Sequence, residues 1–139
     1  MNPFDETIAA AKKLAEEKTK AAQEEREAFA KKQAQDAANC ANLMSEVALP
    51  ILQKAATALK AQSFRAAVEQ TKTPVGKPRA YLKVTKGTER IFTVDVFNPD
   101  SLTVSYSASG QHVKTEIRNS IPEGLTSAVQ KFITSIIAG

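Results

Sequence analysis

The side chains able to carry chemistry are few and scattered. His112 is the single histidine and Cys40 the single cysteine. His112 falls on the polar side of an alternating stretch. No strand–turn–helix serine motif accompanies it, so a hydrolytic triad lacks its frame. Cys40 follows Asn39 in a helical stretch and has no evident base partner to activate it. One thiol builds neither an intramolecular disulfide nor a cysteine metal site. Carboxylates pair at Glu16-Glu17 and Glu24-Glu25 but alternate with lysines, the pattern of a solvated helix surface. Asp95 alternates away from Val94 and Val96, and Asp100 belongs to a turn; neither fits a metal loop. The five glycines are scattered, with no phosphate-cradling run. The expectation is a chain without catalytic residues, metal, cofactor or small-molecule substrate.

Charge points instead toward binding. The net charge is +4 and the pI about 9.2, yet the excess is local. Residues 71–90 hold Lys72, Lys77, Arg79, Lys83, Lys86 and Arg90 against Glu89 alone, while residues 1–47 are net negative. Tyr81 and Lys83 share one side of an extended stretch, so Tyr81 could stack on a base while the cations meet phosphates. One tyrosine is no stacking platform, and lysines on a strand also guard sheet edges. No helix–turn–helix, zinc-finger or RNA-recognition pattern is present.

The elements that must position these residues begin with a long helix over residues 1–47. Asn2 suits the N-cap, Pro3 the first helical position, and Asp5 and Glu6 the positive end of the dipole. No Gly or further Pro interrupts the chain before Pro50, and alanine recurs throughout. Opposite charges stand four apart at Lys12 and Glu16, Glu16 and Lys20, Glu27 and Lys31, each pair contributing about 0.2–0.5 kcal/mol. About 45 helical residues span roughly 67 Å, more than the roughly 30 Å diameter of a body of about 90 residues. The helix is therefore expected either to project as an arm or to be covered by another chain. One heptad column is favourable: Ile8, Ala15, Ala22, Phe29, then Asp36, then Leu43, with Val47 near its end. The partner column, Phe4, Ala11, Lys18, Glu25 and Lys32, is not. A narrow alanine-rich stripe results, able to pack closely but weakly.

Pro50 marks a kink or tight break. A second helix is expected over 48–70 on Ile51, Leu52, Ala55, Leu59, Ala66 and Ala67, with Ser63 a candidate cap for its last piece. Residues 71–79 read as a linker with two prolines and a glycine. The period then changes to alternation. Four strands follow, with Ala80, Leu82 and Val84, then Phe92, Val94 and Val96, then Leu102, Val104 and Tyr106, then Val113 and Ile117 facing one side. Turns at 86–89, 98–101 and 109–111 are short, as in an antiparallel meander. A final helix starts at a Ser120/Glu123 capping box and presents Leu125, Val129, Phe132, Ile133, Ile136 and Ile137. Residues 80–139 therefore form a meander covered by the C-terminal helix.

The fold class is α+β: long N-terminal helix, second helix after a proline break, four-stranded antiparallel meander, C-terminal helix on the sheet. The functional expectation is a non-enzymatic protein-interaction module of adaptor or inhibitor type, homo-oligomeric through its helical region. The alternative is a nucleic-acid or polyanion binder using residues 72–90. The N-terminus shows no basic stretch followed by an apolar run, and the longest apolar segment is interrupted by Gln130, Lys131 and Thr134. A cytoplasmic protein with no membrane partner is therefore expected.

Overall fold

The computed structural model describes residues 2–108 and 110–138. The first helix, α1, runs from Pro3 to Leu43. Asn2 caps it: its side-chain oxygen accepts the Phe4 N–H at 3.0 Å, and its carbonyl the Asp5 N–H at 3.0 Å. The chain divides into two units at Gln35/Asp36. The first is helix α1 up to Gln35, and its described residues through Gln35 are exposed. The charged residues expected to pair four apart stay at helical spacing. Among the described residues the ion pairs are Arg79–Asp95, Lys83–Glu69 and Arg118–Glu116.

The second unit opens with the end of α1, where Cys40 is fully buried. Of the kink or tight break expected at Pro50, the break is not found. A π-helical turn, Met44–Ala48, joins α1 to helix α2, Leu49–Ala61. The Leu49 N–H donates to the Met44 carbonyl, and Leu49 itself keeps helical angles (φ −61, ψ −45). A proline in a regular helix removes one hydrogen bond and clashes with the carbonyl four residues back. Widening the turn before the ring accommodates both defects and lets the helical path continue.

The second helix ends at Ala61, not near Gln70. Ser63 adopts a left-handed conformation (φ 69). Its N–H donates to the Lys60 carbonyl, and the Phe64 N–H to the Leu59 carbonyl, both at 3.1 Å. This is a Schellman ending, sealed by Leu59 and Phe64, which are both buried. Ser63 therefore stops α2 rather than capping a further piece.

Beyond it the chain turns into a strand the sequence reading missed. The sheet has five strands, not four: β1 Arg65–Lys72, β2 Pro78–Lys86, β3 Thr88–Asn98, β4 Ser101–Ala108 and β5 Gln111–Ile117. They form an antiparallel meander in the order β1-β2-β3-β4-β5. The expected 71–79 linker shrinks to the loop between β1 and β2. There Thr73 and Lys77 are bridged by Thr73 N–H to Lys77 O at 2.8 Å and Lys77 N–H to Thr73 Oγ1 at 3.1 Å. Val68 opposite Leu82 and Ala66 opposite Val84 continue the apolar face of β2 onto β1. That continuation, and not the helix-favouring alanines, decides the structure of this segment.

Helix α3, Ile121–Ala138, covers the sheet together with α2. Ser120 is left-handed (φ 49), and its carbonyl accepts the Gly124 N–H at 2.9 Å. The core between helices and sheet is built from Leu52, Leu59, Leu82, Val84, Phe92, Val94, Val104, Leu125 and Phe132. Phe92, Tyr106 and Phe132 meet at its centre, with ring centroids 5.4–5.7 Å apart. Ile137, expected on the buried face of α3, is exposed. No helix among the described residues is long and apolar enough to cross a membrane.

Candidate functional site

Two surfaces carry the residues singled out for binding, one in each unit. In the second unit, strand alternation leaves one sheet face to the helices and the other uncovered. Across the uncovered face the register aligns Thr71, Arg79, Asp95, Thr103 and Glu116 in one row. The next row is Glu69, Tyr81, Thr93, Ser105 and Lys114.

Three residues of the basic window meet on this face: Arg79, Tyr81 and Lys83, at successive outward positions of β2. Two of their charges are already engaged. Arg79 donates to Asp95 through Nε at 2.5 Å and Nη2 at 3.2 Å, a fork-shaped pair across β2 and β3. The side chain of Asp95 is only 9% exposed and that of Arg79 28%. The hydrogen bond to Asp95 raises the guanidinium further above its usual range. Lys83 Nζ lies 2.8 Å from Glu69 Oε2 and 6.0 Å from the Tyr81 ring centre. Its hydrogen bond to Glu69 likewise raises its pKa above the ordinary lysine value.

The remaining cations of the window lie elsewhere. Alternation sends Lys72, Lys86 and Arg90 to the side that the helices cover, at strand ends. Lys86 Nζ rests 4.6 Å from the Phe64 ring centre. Arg90 Nη1 donates to the Ser107 carbonyl at 3.4 Å, and Lys77 belongs to the β1–β2 loop. The seven-residue window thus divides between two faces and a loop.

The helix-packing column divides as well. Ile8, Ala15, Ala22 and Phe29 are exposed along α1 in the first unit, whereas Leu43 and Val47 are half-buried in the second. Leu43 packs against the core. Exposure is high at Phe4 (68%), Ile8 (53%), Leu14 (58%) and Phe29 (64%). At roughly 100° per residue these four fall on one side of the helix. Leu14 stands outside the heptad column. It lies one residue before Ala15, so a stripe wider than one column includes it.

The residues weighed for catalysis stay apart. His112 is exposed opposite Ser107 on the uncovered sheet face. Burial pushes the Cys40 thiol pKa up, which suits a packed, protonated side chain. Among the described residues no three His, Cys, Asp or Glu side chains stand close enough to hold a metal ion. The concavity lined by Pro50, Gln53, Lys54, Thr57, Ala58 and Ala61 is the side of one helix, open to solvent. Comparison with protein-family models, with curated proteins and with solved structures finds no significant match to this chain.

Proposed function

We propose that this protein is a non-enzymatic interaction module that self-associates through the exposed apolar side of α1. The observation that carries the reading is the set Phe4, Ile8, Leu14 and Phe29, each more than half exposed and all on one helix side. Isolated apolar side chains on a surface are ordinary, but four aligned on one uncovered helix are a contact surface. Fully withdrawing one such side chain from water contributes about 1.5–3 kcal/mol. Ile8 and Phe29 from two copies together offer about 6–12 kcal/mol, comparable with the cost of association. A weak, concentration-dependent dimer is the expected result.

Light scattering and sedimentation on the full chain test this. A concentration-dependent mass above 15.0 kDa that Phe29→Asp abolishes supports it, and a monomer at about 100 µM overturns it. A foreign protein on the same helix side would leave the chain monomeric by itself.

Polyanion binding by the 72–90 window is the second reading. Arg79, Tyr81 and Lys83 on one sheet face support it, and the engagement of Arg79 by Asp95 and of Lys83 by Glu69 weakens it. Titration of DNA and RNA at two salt concentrations decides. Affinity must fall steeply with salt if phosphate contacts drive binding.

A further inference from the structure

The helix that would associate carries an internal symmetry in its apolar stripe and in its charges. Reverse residues 4–33 of α1 about the point between Lys18 and Thr19, and Ile8 falls at the level of Phe29, Ala15 at the level of Ala22. Ile8 and Phe29 then lie at the two ends of this column and alanines at its middle, where two backbones can come close, while Phe4 and Leu14 fall level with Gln33 and Gln23. The same reversal puts Asp5 and Glu6 level with Lys32 and Lys31. It puts Lys12 and Lys13 level with Glu25 and Glu24, and Glu17 level with Lys20. Every other charged residue of the segment falls level with an uncharged one, so no like charges coincide.

We propose that two copies of this chain pair antiparallel along residues 4–33, with a two-fold axis between Lys18 and Thr19. The proposal rests on the self-association reading and adds orientation and register to it. A two-fold axis makes each residue's partner reciprocal, as an isologous contact requires. In a parallel, in-register pair every charged residue would stand level with its own copy, Glu24 with Glu24 and Lys12 with Lys12. At about 100° per residue Glu6, Lys13 and Glu17 point away from the stripe, so level groups on two such helices stand farther apart than the roughly 8–10 Å between packed axes. That is beyond the ~10 Å screening length at 0.1 M salt but within the ~30 Å length at 0.01 M. The charge bands therefore select orientation and register at low salt without forming closed ion pairs. Opposed helix dipoles act in the same direction. The exposure of the described residues through Gln35 leaves this side free for a second copy.

Two experiments test orientation separately from association. In a Cys40→Ala background, Ala15→Cys and Ala22→Cys chains are mixed and oxidised, and the disulfides are mapped. The antiparallel register gives mainly the mixed Ala15→Cys/Ala22→Cys disulfide. A predominance of either chain bonded to its own kind overturns the proposal. Because Cys40 is buried and its replacement could unsettle the fold, the second experiment leaves it in place. Lys12→Glu/Lys13→Glu should weaken dimerisation about tenfold at low salt, since like charges then stand level. Adding Glu24→Lys/Glu25→Lys in the same chain should restore it. Indifference of the dimer to both sets overturns the antiparallel register while leaving self-association standing. A monomer for the unmodified chain overturns both.

Discussion

Arg79 and Asp95 should respond unequally to removal, and the inequality follows from their exposure. The carboxylate is 9% exposed and the guanidinium 28%. Arg79→Met leaves the Asp95 charge largely cut off from water. Losing one partner of a buried pair costs about 3–5 kcal/mol. With more than a quarter of the arginine side chain already reached by solvent, screening lowers the figure to about 2–3 kcal/mol. Asp95→Asn keeps the shape and one acceptor, and Arg79 can turn toward water. Its cost is about 0.5–1.5 kcal/mol, that of a weakened hydrogen bond. The double variant Arg79→Met/Asp95→Leu removes both charges and should fall within about 1 kcal/mol of the original protein. Urea denaturation followed by circular dichroism measures all three. With a slope of about 1–3 kcal/mol/M, Arg79→Met should lower the midpoint by about 0.7–3 M. Equal losses for the two single variants, or a larger one for Asp95→Asn, would refute the burial argument.

Three further outcomes test the core. Phe92→Ala removes the ring packed against both Tyr106 and Phe132 and should cost about 3–5 kcal/mol by the same denaturation assay. Gly124→Ala, normally worth about 1 kcal/mol inside a helix, should destabilise instead. Its Cβ would stand 2.7 Å from Cγ2 of buried Ile117; adding Ile117→Ala should remove the clash penalty. Cys40 should resist thiol reagents until the protein is unfolded. Its raised pKa means the folded state holds the proton where the unfolded state releases it. Stability should therefore fall as pH rises above the unfolded thiol pKa of about 8.5, and Cys40→Ala should flatten that decline.

How much of this was legible in the residues depends on whether the signal was local. Asn2, Pro3, alanine content and the absence of glycine are local, and α1 follows from them. The inward faces of β2, β3 and β4 follow from strict alternation, as at Ala80, Leu82 and Val84. Strand β1 was hidden because Arg65-Ala66-Ala67-Val68-Glu69-Gln70 is rich in helix formers. Its extended state comes from pairing with β2, a contact between distant residues. Pro50 misled because the π turn preceding it depends on how α1 and α2 enter the core. Ser120 and Glu123 match a capping box in type and spacing, but the left-handed angle at Ser120 reflects the tight approach from β5 to α3.

The candidate binding surfaces divide along the same line. Ile8 and Phe29 stand in the apolar heptad column, so that part of the exposed stripe was visible in the residues, whereas Phe4 lies in the failing partner column and Leu14 in neither. The Arg79–Asp95 pair was not visible. It needs the β2–β3 register, which pivots on Gly87, where φ is 82 between paired Lys86 and Thr88. Glycine adopts that angle without strain. With the pivot placed at Gly87, Arg79 opposite Asp95 follows. The basic window then reads as residues divided between two faces rather than as one patch.

Sedimentation equilibrium of the full chain at several concentrations tests the central claim most directly. Self-association through α1 predicts a mass that climbs toward twice 15.0 kDa and returns to the monomer in Phe29→Asp. A single 15.0 kDa species at every concentration up to about 100 µM would contradict it.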